Sequence, residues 1–564
     1  MLKPWSHHSP LQASDTRLAR SVFLLLFALY VSVFNGLPPG VDGEVCFQVT
    51  SSLVRQGSLG VGGTPEAESM IAHAKSVEPG TFAVRQGTDG ADAPYYTWYG
   101  IGDTISALPF YLVGHVLAWM SPRTEAAHAQ DTRFGSGRSE YYEHLITGLR
   151  NPLLSAATAC VLVLIARRLG VARNVAFLAG IGYGLCTYAL PQARAWFSDV
   201  QGAFFLCAAF YGLLLLRDQW STRRCAIFGV ALAMASLTRV SLIPAALVLD
   251  CALLWLLVQL RRSSYGGPRI ARMWPSLVAL WLPQLLALGL WCGTNQWRFG
   301  NPFDSGYGVA IAGGLLGGDP WAALVGLLIS PGKGLLWMAP GLLLLGFGLR
   351  RAYQERETGI VLVLVLTSCA VIAPVLLMVG WHGAWTYGPR YVLPAMPLLW
   401  VLASQGFQRS TVDHRIRPAA WVLLFFGLVT QIPGALVDTM TYHDLAVRAA
   451  EERFPIAPGE LPANAAEARF QAIQMDWGFA APWAHWRILR HQVALPGEPY
   501  PSAELFRWPT DQMLTPSQLR ETGFRHMAWV DLRHRLGGNI WSAIAAIVML
   551  VLLGTADAIR GLDP

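Results

Sequence analysis

Three carboxylates stand where a long apolar chain leaves its predicted membrane spans. Asp42 and Glu44 follow the first apolar run, and Asp199 opens a later one. A carboxylate at a membrane surface is placed to take a proton from an acceptor while a substrate's lipid tail lies in the bilayer. The stretch from Asp42 to Gly57 reads as a short amphipathic helix with Val45, Val49, Ser52 and Leu53 on one face. The positive N-terminal end of such a helix favours an ionised carboxylate and keeps it competent as a base. The bland alternative is helix capping, a role that Asp fills often.

Cations accompany these acids. Arg239 lies at the outer end of a predicted span, Arg298 and Lys333 fall in predicted outer loops, and Arg390 opens another span. Lys333 stands out in a chain with very few lysines, because Gly332 and Gly334 flank it and let backbone approach an anion. Each cation alone fits snorkelling or lipid-headgroup contact. Jointly on one face they favour an anion site.

The elements that position these groups follow from composition. A chain of 564 residues with 53% hydrophobic and only 14% charged content, and a mean hydropathy of +0.39, is a polytopic membrane protein. A span takes about 20 mostly apolar residues. Twelve are expected, near 20–36, 145–166, 174–193, 199–216, 225–238, 241–260, 274–293, 334–349, 358–380, 391–406, 419–436 and 539–558, with 225–238 short and 334–349 re-entrant in character. The segment 100–120 is also apolar. Treating it as a helix in the outer interface keeps the arginine clusters at 17–20, 167–173, 217–224, 261–272, 350–356 and 409–417 on the cytoplasmic side, as cationic loops prefer. Counting it as a span would put every later cluster outside. No A-x-A cleavage site follows the first span, so it is expected to be retained, with both termini in the cytoplasm.

The formal charge of +7 is accounted for by these inner arginines and implies no nucleic-acid partner. Most of the eight cysteines lie in apolar spans, and no spacing suggests a metal. Cys46 and Cys292 approach the outer face, and no disulfide between them is expected. Three parts are expected: a transmembrane module over 1–436 with a long first outer loop at 37–143, an extracytoplasmic region over 437–537 whose Trp and Phe content argues for packing against something, and a last helix with its tail over 538–564. Mid-span Asp250 is expected to be structurally paired.

Several outer-loop segments resemble those of the GT-C membrane glycosyltransferases. Asp42 through Gly57 is similar to that superfamily's first-loop motif, in which an acidic residue after the first span opens a juxtamembrane helix ending in Gly. The run from Tyr96 to Pro109 looks like its second juxtamembrane helix, and Trp196-Phe-Ser-Asp199 like its second acidic site. Asn295 to Tyr307, Ser330-Pro-Gly-Lys-Gly334 and Gly388-Pro-Arg-Tyr391 resemble later outer-loop segments of bacterial members. The resemblance leans toward the protein O-mannosyltransferase and lipid A aminoarabinose transferase group and covers the chain to about residue 410. The chain carries Asp-Gly-Glu where that group commonly has an adjacent acidic pair, so Asp42 is taken as the base.

The resemblance implies an all-α fold of about twelve transmembrane helices with GT-C-like juxtamembrane helices in the first outer loop and an extracytoplasmic insertion before the last helix. It implies a cytoplasmic-membrane enzyme, active on the outer face, that moves a sugar from a polyprenyl-phosphate carrier to a protein, lipid or glycan acceptor with inversion. Asp42, Glu44 and Asp199 are then the catalytic set. Lys333, Arg390, Arg298 and Arg239 would hold the carrier phosphate. Tyr96, Trp98 and Tyr99 could meet sugar or acceptor, although aromatics also anchor membrane interfaces. A divalent cation, a shared proton or an acceptor hydroxyl would each suit Asp42 and Asp199. The rival classes are a transporter or lipid-linked-glycan flippase, and an O-antigen polymerase or ligase. Polar content concentrated in outer loops, with only Asp250 at mid-span, favours the enzyme over a transporter.

Overall fold

The computed structural model describes residues 11–36, 41–76, 83–88, 90, 92–129, 139–262, 270–312, 315–354, 358–384, 386–412, 416–455, 462–519, 523–524, 526–531 and 541–562. Of the arginines expected inside, Arg269, Arg356 and Arg415 lie outside these residues. Hydrocarbon offers a backbone no hydrogen-bond partners, so the apolar runs close their N–H and C=O groups within helices. Nine helices among the described residues are long and apolar enough to cross a membrane: Ala13–Val33, Ile101–Met120, Tyr141–Arg168, Asp199–Asp218, Val240–Gln259, Trp274–Phe299, Thr358–Leu376, Ile416–Leu436 and Ile544–Leu562. The chain is an all-α polytopic membrane protein, with two small two-stranded hairpins among the described residues.

Eight of these helices fall on expected spans. The other four expected spans hold shorter pieces, and local chemistry explains why. In 174–193 the helix Arg173–Leu185 stops, and a five-residue helix, Ala189–Ala193, resumes around Pro191. In 334–349, Leu335–Met338 ends at Ala339, and Pro340 opens a 3-10 turn that leads into Leu345–Gln354. In 391–406, Pro389 and Pro394 impose a 3-10 turn before Met396–Val412. Over 225–238 lies Thr222–Thr238, 17 residues long. The ninth helix, Ile101–Met120, is the segment assigned above to the interface. Leu112, Val113, Val116 and Trp119 are exposed on it, whereas Asp103, Tyr111 and Gly114 are buried.

The core is continuous across the helices. Trp400 is fully buried and its indole donates to the Ala179 carbonyl at 2.8 Å. The first and last helices lie side by side, and Arg20 grips Asp557 with two bonds of 2.5 and 2.8 Å. Asp250 meets Gln284 at 3.4 Å, a neutral partner. All eight cysteines are free.

The region after the Ile416–Leu436 helix folds onto the same core. Asp438 caps Thr439–Arg453, and the helices Pro462–Met475 and Ala481–Ala494 follow. Buried Tyr442, Phe479, Ile488 and Phe506 join the main apolar cluster. Trp477 packs edge-on to Trp337 with centroids 5.3 Å apart. The surface that its aromatics were expected to meet is therefore the helical module itself.

Candidate active site

The juxtamembrane helix Val41–Gln56 carries Asp42 and Glu44 in its first turn, where the unpaired N–H groups and the helix dipole favour negative charge. Asp199 opens the helix Asp199–Asp218, and the turn before it is tied down from both sides. The Asn151 amide donates to the carbonyls of Ala195 at 2.5 Å and Phe197 at 3.0 Å. Arg150 bonds the carbonyl and carboxylate of Asp103 at 2.9 and 3.1 Å, and Gln201 donates to the other Asp103 oxygen. Glycines bring the third element in: a Cβ at Gly100 would lie 2.1 Å from the Leu237 carbonyl oxygen, and one at Gly102 would lie 2.5 Å from the Thr238 nitrogen. Only glycine allows the Leu237–Arg239 turn to seat there and extend Arg239 toward Asp199.

These elements enclose a cleft of about 180 Å³. Asp42, Asp199, Arg239 and Arg390 form its polar wall. Trp98, Tyr99, Phe197, Tyr307 and Tyr391 supply rings, and Ala310, Leu315 and Met378 an apolar side. Two acid–arginine contacts organise it. Arg390 Nη1 lies 2.7 Å from Asp42 Oδ2, and Arg239 Nη1 lies 2.5 Å from Asp199 Oδ1. Asp199 is completely buried and neither of its oxygens has an aligned hydrogen bond, so its contact with Arg239 is ionic in character.

Arg390 is held as a fork. Its guanidinium lies over the rings of Phe197 at 4.2 Å and Tyr391 at 4.8 Å, and Nη2 donates to the Tyr391 hydroxyl at 3.1 Å. Its buried Nε has no protein partner. Burial opposes the charge, but Tyr391, Asp42, Asp199 and Tyr99 outweigh it and hold Arg390 protonated more firmly than an ordinary arginine. Burial, with Asp42 adding to it, pushes the Tyr99 phenol well above its usual range, so it stays a neutral hydroxyl.

Other expected site residues stand elsewhere. Glu44 faces away from the cleft, where Gln48 donates to it at 2.6 Å and His144 Nε2 lies 3.1 Å away. His144 Nδ1 meets the Glu140 carbonyl at 2.8 Å, so both ring nitrogens face oxygen acceptors. Lys333 is 1% exposed, and its ammonium donates to the carbonyls of Ala384, Thr386 and Gly388. Burial, helped by Arg390, pushes it below the ordinary lysine range. Arg298 clasps the carbonyls of Thr97 at 2.7 Å and Tyr99 at 3.2 Å and so supports the aromatic wall from behind. Tyr96 packs edge-on to Phe299 in the hairpin, while Trp98 and Tyr99 reach the cleft. Asp42, Asp199, Arg239, Arg390, Trp98 and Tyr99 thus converge, and Glu44, Lys333, Arg298 and Tyr96 do not. Phe197, Tyr307 and Tyr391 were not singled out from sequence, although each lies within a segment quoted above for its resemblance.

Among the described residues no three His, Cys, Asp or Glu side chains converge as metal ligands. Asp42 and Asp199 each face a guanidinium, a donor set that does not fit a divalent cation.

No family model and no curated protein matches the chain. Solved structures do show likeness. ArnT from Cupriavidus metallidurans, bound to undecaprenyl phosphate or in the apo state, is similar with a TM-score of 0.42 and 14% identity, covering 96% of this chain and 76% of that one. Archaeal oligosaccharyltransferase AglB from Archaeoglobus fulgidus, in complex with an inhibitory peptide and a dolichol-phosphate, is similar with a TM-score of 0.41 and 10% identity, covering 78% and 58%.

Proposed function

We propose that the chain is an inverting glycosyltransferase that moves a sugar from a polyprenyl-phosphate carrier to an acceptor on the outer face of the cytoplasmic membrane. The observation that carries this reading is the 2.7 Å contact between Arg390 and Asp42 inside a cleft that also holds Asp199 and Arg239. The cleft offers a base and two anion-stabilising forks within reach of one small ligand.

In this reading the carrier phosphate competes with Asp42 for the Arg390 guanidinium, and its arrival frees the carboxylate. Arginine suits this exchange because its planar fork binds two phosphate oxygens at once. Asp42 then takes the proton of the acceptor hydroxyl as that oxygen bonds to the sugar's anomeric carbon. The bond from that carbon to the phosphate oxygen breaks, and polyprenyl phosphate leaves with the electron pair. Arg390 and Arg239 offset the charge that grows on the phosphate. One displacement with one base inverts the anomeric centre. Asp199 holds Arg239 in place, Trp98 and Tyr99 flank the sugar, and the Ala310, Leu315 and Met378 side fits the first prenyl carbons.

The test is mass spectrometry of cell-envelope glycans from cells carrying the wild-type gene, no gene, or the Asp42→Asn form. A glycan that is present only with the wild-type gene supports the reading. Identical glycans in all three strains would overturn it.

A further inference from the structure

We propose that the helix Pro462–Met475 is a latch on the loop that presents Arg390, with Glu467 and His382 as its positioning pair. The inference rests on the reading of Arg390 as the carrier-phosphate residue.

The described residues between Val379 and Arg390 make some bonds of their own, the Gly383 N–H to the Gly380 carbonyl and the Thr386 hydroxyl to the Gly383 carbonyl, both at 3.0 Å, yet several of them sit in an unfavourable backbone region. Gly383 and Gly388 adopt φ of 71° and 78°, and Ala384, which has a side chain, is also left-handed at 57°. Such a conformation persists only where surrounding contacts over-determine it. From one side Lys333 donates to the carbonyls of Ala384, Thr386 and Gly388, fixing the backbone just before Arg390.

The other side is held by one face of the Pro462–Met475 helix. His382 Nδ1 accepts from the Ala384 N–H at 3.1 Å, which leaves the ring proton on Nε2, and that proton is donated to Glu467 Oε1 at 2.8 Å. Phe470 stacks on the same ring, with centroids 5.5 Å apart and planes 14° apart. The Gln471 amide donates to the Val379 carbonyl at 3.3 Å, and the Gln474 carbonyl accepts from the Gly332 N–H at 3.0 Å. Residues 467, 470, 471 and 474 follow the i, i+3, i+4, i+7 spacing of a single helix face. Gly332 favours this close approach, since a Cβ there would lie 3.1 Å from the Gln474 Cα. The helix thus clamps both the Arg390 loop and the Lys333 turn beneath it, which gives the region after residue 437 a role in donor binding.

Glu467 is the place to test this, because its side chain is 30% exposed at the edge of the contact and its removal spares the core. Glu467→Ala should speed amide exchange across 379–390 in the detergent-solubilised full chain. It should also raise KM for a short-chain polyprenyl-phosphate sugar about two- to tenfold, the worth of one hydrogen bond, with kcat within about twofold of wild type. Glu467→Gln keeps an acceptor for the Nε2 proton and should restore both values, which a merely packing role would not produce. Unchanged exchange in Glu467→Ala would refute the latch, and so would faster exchange with an unchanged KM. Arg390→Ala, measured alongside, separates the two readings: if it too left KM unchanged, the phosphate assignment of Arg390 would be the part that failed.

Discussion

Removing Arg239 should be far more damaging than removing the acid it serves. Asp199 is completely buried, and Arg239 is the cation in contact with it. Arg239→Met keeps the packing volume and leaves a buried carboxylate without its contacting cation, with only the more distant Arg390 to oppose its desolvation, a change that costs up to about 3–5 kcal/mol in buried pairs. Asp199→Asn should cost less. The stranded Arg239 keeps 19% of its side-chain surface in water and lies 5.4 Å from the Tyr391 ring, so its charge has other support. The Asp199→Asn, Arg239→Met double form should recover most of the loss, because a neutral buried pair carries no uncompensated charge. Reversible unfolding by SDS in mixed micelles measures all three. A single Arg239→Met loss no larger than that of Asp199→Asn, or a double form as unstable as the single, would refute the reasoning.

Two further outcomes follow from the same structure. Cysteines introduced at exposed Gly57 and Gly317 should react with a membrane-impermeant maleimide in intact spheroplasts, and one at Arg223 only after permeabilisation; the reverse pattern would invert the topology. Burial pushes His485 down to about 3, with Arg194 and Lys333 adding to it, so the folded chain keeps this imidazole neutral while the unfolded chain protonates it near pH 6.5. Its contribution is therefore complete above about pH 6.5 and falls by up to about 1.4 kcal/mol per unit as pH drops toward 3, so unfolding from pH 7 to 5 should be steeper in wild type than in His485→Gln.

The sequence made legible whatever depends on local pattern. Eight long apolar helices follow from hydropathy, and the start of the Val41–Gln56 helix follows from acids placed after a span. Asp42, Asp199, Arg239 and Arg390 were nameable because each sits at the edge of an apolar run. The side to which a residue turns is decided by distant contacts, and there the reading diverged. Glu44 lies two positions from Asp42 and so turns to the opposite side of its helix, toward His144, which is 100 residues away in the chain. Lys333 has the glycine neighbours of an anion site, yet the carbonyls it meets come from a loop more than 50 residues later. Arg298 likewise spends its donors on the strand of Thr97. Of the four short spans, 334–349 and 391–406 are broken where Pro interrupts an apolar run that composition alone would extend, whereas Thr222–Thr238 is one unbroken helix, short as expected.

We propose Asp42 as the base of a sugar transfer from a polyprenyl-phosphate carrier. The most direct test is the rate at which purified protein in nanodiscs releases free polyprenyl phosphate from a polyprenyl-phosphate sugar, with acceptor membranes present, for wild type and Asp42→Asn. Asn keeps the size of Asp at the second residue of the Val41–Gln56 helix, so the fold is preserved while the base is lost. The expected result is acceptor-dependent release by wild type and a fall of about 100-fold or more in the variant, the size of a lost general base. Release by Asp42→Asn at a rate near wild type would contradict the claim.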